Sequence, residues 1–349
     1  MPTNWLNDAI QKPCALSAEK AQQRQGQLTK PPGSLGRLEE LAITLASLQG
    51  QEKPSIKTTN IVVFAADHGI TEEGVSAFPQ VVTGEMIRNF SRGGAAISVL
   101  ANTLQAPLQV INLGTAHPIE DLPGVRHLNI APGTANFAKQ SAMTDETLAQ
   151  ALQAGKEVVD ALAPADVFIA GEMGIANTSS ATALAAVLLN EDASRIAGPG
   201  TGLDSAGVQH KADVINAAIK KHRLTSASKP LDVLKTLGGL EIAAMSAAYI
   251  RCAQKGIPIL VDGFISSVSA LIACRLQPDI HPWMIFSHQS AEPGHQRILH
   301  AMDAKPLLNM AMRLGEGSGA AVAFPLLQTA CALHNNMATF AEADVSAGN

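Results

Sequence analysis

Two glutamates stand in glycine-rich surroundings that leave a carboxylate few polar neighbours along the chain. Glu316 lies between Gly315 and Gly317 at the start of an apolar stretch, and Glu172 lies in GEMG (171–174). Dry surroundings raise the pKa of a glutamate toward neutrality and make it a useful general base. A cap of the following helix, stabilised by the helix dipole, explains Glu316 equally well. The residues alone therefore leave both interpretations of Glu316 open, whereas Glu172 is unusual for a mere cap.

Two further segments have the composition of turns that bind an anion where a helix begins. GEMGIANTSSATAL places Asn177, Thr178 and Ser179 where free backbone N–H groups suit an anion, although an ordinary helix cap is equally consistent. GPGTGLD (198–204) matches neither the Walker pattern nor GxGxxG, but its glycines permit close approach of a phosphate. Lys211, about two turns into the next helix, either supplies a positive charge there or lies on the solvated surface.

The segment SHQSAEPGH (287–295) contains two histidines and a glutamate at a spacing that superficially resembles metal ligands. The intervening proline is incompatible with the HExxH helix of zinc enzymes, so we expect no metal here. Ser287 and Ser290 are better interpreted as hydrogen-bond donors to a phosphate or a ribose.

Five short apolar runs, each followed by a polar tip, must position these residues. They cover 58–69, 108–115, 165–174, 257–264 and 283–288. Most are rich in Val and Ile without polar alternation, which is typical of strands buried on both faces of a parallel sheet. Helix-like segments occur at 144–163, 177–189, 204–222, 239–255 and 264–276. The alternation predicts an open, Rossmann-like α/β sheet of parallel strands with helices on both faces.

Ligands of such sheets bind beyond the carboxyl ends of the strands, so we expect the polar tips to form a single site. The tips carry Asp67, His68, Gly114, Thr115, Glu172, Asp262, Ser287 and His288.

Both ends of the chain predict helices rather than strands. Residues 1–50 have a helical pattern interrupted by KPPGSLG, and LLNMAMRL (307–314) and SGAAVAFPLLQTACALHNNM are purely helical. We expect 1–44 with 301–349 to form a small helical domain beside a large nucleotide-binding α/β domain, 45–300. The polar tail SAGN is expected to fray.

Composition excludes several classes of protein. The chain has 349 residues, 46% hydrophobic and 16% charged, which is enough for a large core and excludes general disorder. Lys+Arg 25 against Asp+Glu 30, with 3% aromatic residues and no basic block, argues against a nucleic-acid partner. Four scattered cysteines, no apolar leader and no apolar run of about 20 residues predict a cytoplasmic protein without a membrane partner.

Seven motifs, taken in order, resemble one family, nicotinate-nucleotide–dimethylbenzimidazole phosphoribosyltransferase. They are KPPGSLGRLEELA (30–42), AADHGITEEGVSAFP (65–79), GEMGIANTSSATA (171–183), GPGTGLD (198–204), VDGFISS (261–267), SHQSAEPGH (287–295) and RLGEGSGAA (313–321). Each motif is weak alone, but the ordered set is specific and spans nearly the whole chain. The resemblance implies a six-stranded sheet, a helical domain built from both termini, and a homodimer in which the neighbouring subunit helps to close the active site.

The resemblance also implies an activity and site residues. The reaction would transfer the 5-phosphoribosyl group from nicotinate mononucleotide to 5,6-dimethylbenzimidazole, giving α-ribazole 5′-phosphate and nicotinate, without a cofactor. Glu316 matches the proposed general base, and Glu172 matches a second acidic residue of the cavity. The positions around the nucleotide are Gly174, Asn177, Thr178, Ser179, Gly198, Gly200, Thr201, Gly202 and Lys211. Phe78, Met86 and Leu314 match the lining of the benzimidazole pocket.

Three alternatives stay open from the sequence. In the first alternative, the same group is transferred to another azole, a purine or a phenolic compound. It stays open because Phe78 stands where some relatives carry a smaller polar residue. A non-catalytic nucleotide-binding module is the second. A nicotinamide-dinucleotide dehydrogenase is the third, but it requires GxGxxG after the first strand, where this chain has ADHGITEEG.

Overall fold

The computed structural model describes residues 3–346, in which strands alternate with helices through most of the chain. The strands are β1 (Thr59–Ala66), β2 (Leu108–Gly114), β3 (Val125–His127), β4 (Val167–Met173), β5 (Ile259–Val261) and β6 (Met284–Phe286). The first six α-helices are α1 (Ala15–Gln27), α2 (Arg37–Gln49), α3 (Val81–Arg92), α4 (Ala96–Thr103), α5 (Asp145–Ala161) and α6 (Asn177–Leu189). The others are α7 (Ser205–Lys221), α8 (Pro230–Leu237), α9 (Leu240–Lys255), α10 (Phe264–Leu276), α11 (Pro293–Ala301) and α12 (Ser318–Asn336). The last three residues of the SAGN tail lie outside the described residues.

All six strands lie parallel in one sheet with the order β3-β2-β1-β4-β5-β6. This is the strand order of the Rossmann fold, and the winding direction reverses between β1 and β4. The predicted open parallel sheet is confirmed. The reversal opens a crevice at the carboxyl ends of the central strands, where ligands of such sheets bind.

Alternate residues of the central strand enter two separate cores. Val62, Phe64 and Ala66 of β1 pack in the core that includes α5 and α9. Ile61, Val63 and Ala65 pack on the other face, in the core that includes α2, α4 and α12. Because both faces are covered, the strands consist of apolar runs rather than alternating sequences.

Most predicted elements coincide with observed ones, and the predicted helix 177–189 matches α6 residue for residue. The strand β3 and the helices α3, α4, α8 and α11 were outside the predicted segments. β3 is three half-buried residues at the sheet edge, so it has no apolar run to reveal it.

The prediction of a helix over LLNMAMRL (307–314) is wrong. This segment is irregular, with Ala311 in a left-handed conformation at φ +55°, and the Leu308 N–H donates to Ser287 O at 3.0 Å while the Ala291 N–H donates to Met312 O at 2.9 Å. Its backbone groups are thus paired with the chain that follows β6 rather than within a helical turn. The segment forms part of the wall of the cavity described below.

Helices from the two ends of the chain pack together, since α1 contacts α2 and α2 contacts α12. α12 also packs against α4 and β4, and the expected boundary at residue 44 falls inside α2. The division into two domains stays a prediction. Within residues 3–346, no helix is both long enough and apolar enough for a membrane span.

Candidate active site

A cavity of about 450 Å³ opens at the carboxyl ends of β4, β5 and β6. Its volume lies in the range of small-molecule sites. The tips of these three strands contribute Glu172, Asp262 and His288 to the lining. We expected the tips of five strands to form a single site, but only the tips of β4, β5 and β6 line this cavity.

The tips of β1 and β2 lie outside this cavity. Asp67 is 1% exposed, and its Oδ2 accepts the Ala116 N–H at 2.8 Å. His68 is fully buried and hydrogen-bonded to Glu241. These side chains support the loops around the cavity instead of facing its interior.

Glu172, the penultimate residue of β4, is a buried carboxyl group in the cavity wall. Burial away from water and the negative charge of Asp262 raise the pKa of Glu172 to about 8, against the opposing hydrogen bond that the Asn177 amide donates. At neutral pH Glu172 is therefore largely protonated in the free protein.

Glu316 lies in the left-handed backbone region at φ +66°, between two glycines at φ +93° and +86°. Its backbone presses against Gly171 of β4, where an added Cβ would lie 2.0 Å from the Glu316 carbonyl oxygen. This contact fixes the loop from which Glu316 lines the cavity. Only a residue without a side chain at 171 permits the approach.

The Glu316 carboxylate accepts the Ile97 N–H at 3.2 Å, in the first turn of α4. It does not cap α12, because Asp262 Oδ1 accepts the Ala320 N–H of that helix at 2.9 Å. Burial raises the pKa of Glu316, the Ile97 N–H lowers it, and the charge of Asp262 raises it further. The net pKa is raised, as a general base for neutral pH requires.

The first turn of α6 lines the polar side of the cavity. Asn177 and Thr178 face the cavity there, and Gly200 and Thr201 face it from the turn before α7. Lys211 is fully buried behind them, so its alternative interpretation as solvated surface is excluded. Its Nζ donates to Thr178 Oγ1 at 2.8 Å and thereby ties the two turns together.

Burial lowers the pKa of Lys211 to about 8, while the nearby Glu292 carboxyl raises it. A dianionic phosphate at these turns would favour the protonated lysine.

The candidate residues divide into those that line the cavity and those behind it. Lining the cavity are Glu172, Glu316, Gly174, Asn177, Thr178, Gly200, Thr201, Ser290, Phe78, Met86 and Leu314. Ser179, Gly198, Gly202, Lys211 and Ser287 are not among the lining residues. Ser287 is fully buried and its hydroxyl donates to Asp262 O at 3.4 Å, so it is not free to bind a substrate.

Sequence reasoning expected Asp262 and His288 in a site formed by the strand tips but assigned them no role, and it assigned none to Glu292 or Arg313. All four line the cavity. His288 Nε2 lies 3.8 Å from Asp262 Oδ1. The signal for these two was present, since Asp262 directly follows β5 and His288 lies two residues beyond β6.

The other side of the cavity is apolar. Val82 and Met86 of α3 line it together with Phe78 and Leu314, which are 50% and 60% exposed.

Of the two histidines in SHQSAEPGH whose spacing resembles metal ligands, His295 has both ring nitrogens engaged in hydrogen bonds. His295 Nε2 lies 2.9 Å from Ser267 Oγ, and Nδ1 accepts the Ser290 N–H at 2.8 Å. Burial lowers the pKa of His295 to about 3, so the ring is neutral. It fixes the loop that presents Ser290 to the cavity.

Comparison with known proteins agrees with this architecture. A phosphoribosyltransferase family model matches residues 10–345. Nicotinate-nucleotide–dimethylbenzimidazole phosphoribosyltransferases from Pseudomonas putida and Pseudomonas aeruginosa are 57% and 56% identical over 348 residues, covering 99% of each chain. The crystal structure of the enzyme of that name from Thermus thermophilus superposes with a TM-score of 0.91 at 40% identity, covering 96% of this chain and 100% of that one. This chain belongs to the nicotinate-nucleotide–dimethylbenzimidazole phosphoribosyltransferase family.

Proposed function

We propose that this protein transfers the 5-phosphoribosyl group of nicotinate mononucleotide to 5,6-dimethylbenzimidazole, giving α-ribazole 5′-phosphate and nicotinate. The names of relatives that are 56–57% identical over their full length support the reaction. The observation that carries the chemistry is Glu316, a buried carboxylate of raised pKa at the junction of a polar and an apolar half-cavity.

The polar half takes the nucleotide in this proposal. The phosphate lies between the first turn of α6, at Asn177 and Thr178, and the Gly200–Thr201 turn, because backbone N–H groups at a helix start attract anions. Lys211 adds a positive charge from behind Thr178. Ser290 donates a hydrogen bond to the phosphoribosyl group.

The apolar half takes the acceptor ring, between Met86, Phe78 and Leu314. The second azole nitrogen then faces Glu316, which removes its proton. As the lone-pair nitrogen bonds to C1′ of the ribose, the C1′–nitrogen bond to nicotinate breaks and its electron pair neutralises the pyridinium. The leaving group therefore needs no general acid, and one carboxylate base suffices. Entry from the face opposite nicotinate inverts C1′.

Glu172 acts beside Glu316 in this proposal as a protonated carboxyl that hydrogen-bonds the ribose. Its pKa of about 8 suits a donor at neutral pH, and Asn177 fixes its orientation. The anionic substrate strengthens this state, since a nearby negative charge favours the protonated carboxyl.

A homodimer in the cytoplasm completes the proposal. Phe78 and Leu314 are large apolar side chains that line the cavity and are left 50% and 60% exposed, and a second copy covers them. The four cysteines are free thiols, which agrees with a reducing compartment.

The test is a product assay with purified protein, nicotinate mononucleotide and 5,6-dimethylbenzimidazole without added metal. We expect release of nicotinate with formation of an α-linked ribazole phosphate. Parallel assays with adenine and phenol decide whether the acceptor pocket prefers a different ring, because one methyl group changes discrimination by only about 1–3 kcal/mol. No product with any acceptor, but saturable nucleotide binding, would instead indicate a non-catalytic binding module.

A further inference from the structure

We propose that a buried chain of three side chains, Glu241–His68–Ser180, positions the nucleotide-binding turn at 174–178 without touching the substrate. The inference deepens the proposed function and rests on it. It assigns a positioning role to a histidine at the tip of β1 that lies outside the cavity.

The three side chains form a continuous hydrogen-bonded chain. His68 Nε2 donates to Glu241 Oε1 at 2.7 Å, and Nδ1 lies 3.0 Å from Ser180 Oγ. All three residues have no exposed surface. Because a carboxylate only accepts, the proton of this hydrogen bond lies on Nε2, and Nδ1 pairs with the Ser180 hydroxyl. The chain thus joins the end of β1 to the first turns of α9 and α6.

The order serine, histidine, glutamate is also that of a hydrolase triad, but the placement excludes such a role. A nucleophile must reach a bound substrate, and Ser180 is buried and not among the residues that line the cavity. The chain can act only through the backbone that it holds.

That backbone is the turn between β4 and α6. Gly174 lies directly on the His68 ring, since an added Cβ would be 3.2 Å from both Cδ2 and Nε2. Ala176 takes a left-handed conformation at φ +72°, which is unfavourable for a residue with a Cβ. From the other side, Thr83 Oγ1 accepts the Ile175 N–H at 3.1 Å. A strained residue persists only where its neighbours fix it, and here His68 and Thr83 do so from opposite sides.

Asn177 and Thr178, the last two residues of the 174–178 turn and the first of α6, are those that meet the nucleotide in the proposed function. Asn177 holds Glu172, and Thr178 accepts the hydrogen bond from Lys211. Release of the turn would misplace both groups relative to a phosphate, whereas the acceptor pocket is built by α3 and the segment 307–314. We therefore expect a selective loss of nucleotide affinity.

The experiment compares Ser180→Ala with a matched control, Ser246→Ala. Ser246 is equally buried, and its hydroxyl donates only within α9, to Ile242 O at 2.8 Å. For Ser180→Ala we expect the KM for nicotinate mononucleotide to rise about tenfold, the equivalent of one lost hydrogen bond, with the KM for dimethylbenzimidazole and kcat each within about threefold. The control should leave both KM values unchanged. A merely structural role would lower the folded fraction, hence apparent kcat, and leave KM unchanged; that result would overturn the proposal.

Variants of Glu241 provide an independent test of the same hydrogen-bonded chain. Glu241→Gln keeps an oxygen that accepts from His68, so it should restore most of the nucleotide affinity lost in Glu241→Ala. Absence of rescue would contradict positioning through this hydrogen bond.

Failure of the proposed function is distinguishable from failure of this inference, because in the first case the wild-type protein itself would show no turnover. In that case the Kd of nicotinate mononucleotide by calorimetry replaces KM, with the same expected ratios.

Discussion

Glu316 combines a rare backbone conformation with a dry carboxylate, and the two features have one origin. The positive-φ glycines on both sides let the chain turn tightly over Gly171, which brings the side chain between α4 and the cavity. Removal from water raises its pKa, as a base working near neutral pH requires. Two predictions belong to this residue.

Glu316→Gln keeps the size of the side chain and removes the base. We expect kcat to fall by at least about a hundredfold, the usual contribution of general base catalysis, with nucleotide affinity within about threefold of wild type. Steady-state kinetics and calorimetry measure the two quantities. Full turnover by the variant would show that another group takes the azole proton.

The pH dependence of kcat/KM follows from the direction of the pKa shift. The base works ionised, so activity is present above its pKa and is lost as pH falls through it. Because burial raises the pKa of Glu316, we expect the acid limb above about 4.3, the ordinary value for glutamate. The acceptor's own titration, measured without enzyme, is subtracted first. An acid limb at or below the ordinary value would contradict the assignment.

At the scale of helices, strands and loops, the geometry of the site depends on three backbone segments that pack closely against neighbouring segments. The Glu316 loop lies on β4, the turn before α6 lies on His68, and the irregular segment 307–314 is paired with the chain after β6. Neither helix propensity nor hydrophobic pattern encodes these contacts, and the first two depend on glycine at 171 and 174.

Gly171→Ala tests the closest of them. Its Cβ would lie 2.0 Å from Glu316 O, a backbone atom that cannot move without displacing the base, so we expect kcat to fall at least about tenfold and the Tm to decrease. Gly26→Ala is the matched control. It lies within α1 with open space around the added Cβ, and there alanine should stabilise by about 0.5–1 kcal/mol. Steady-state kinetics give kcat of both variants, and thermal unfolding gives their Tm. Unaltered kcat in Gly171→Ala would mean that the Glu316 loop is free to shift.

At the scale of the whole molecule, the cavity mouth is the part of the site that a single chain leaves open to solvent. Phe78 and Leu314 line the cavity while half or more of each side chain faces solvent. An apolar acceptor ring held there alone would stay partly in water, and burial of apolar surface is what binds it.

We therefore expect light scattering to give twice the mass of one chain, and specific activity to decrease on dilution in step with dissociation of the dimer. The KM for dimethylbenzimidazole should rise before that for the nucleotide, because the apolar side is the open one. A monomer with full activity at every concentration would refute closure by a second copy.

Local patterns in the sequence were sufficient to predict the sheet and the edge at which ligands bind, and they offered the first candidates for the site; the family resemblance supplied the rest. Buried parallel strands and amphipathic helices are such patterns, and motifs such as GEMGIANTSS and RLGEGSGAA carry their turn geometry within a few residues. Glu172, Glu316, Asn177 and Thr178 were found in this way, and the structure brings them to one cavity.

What each of the remaining groups faces depends on the packing of distant segments and was visible only in the folded chain. Packing made LLNMAMRL an irregular wall segment instead of the predicted helix, put Lys211 inside, turned Ser287 away, and added Glu292 and Arg313 to the lining. His68 pairs with a glutamate 173 residues away. In such pairings, burial and the need to satisfy polar groups override local preference, so no window of neighbouring residues reveals them.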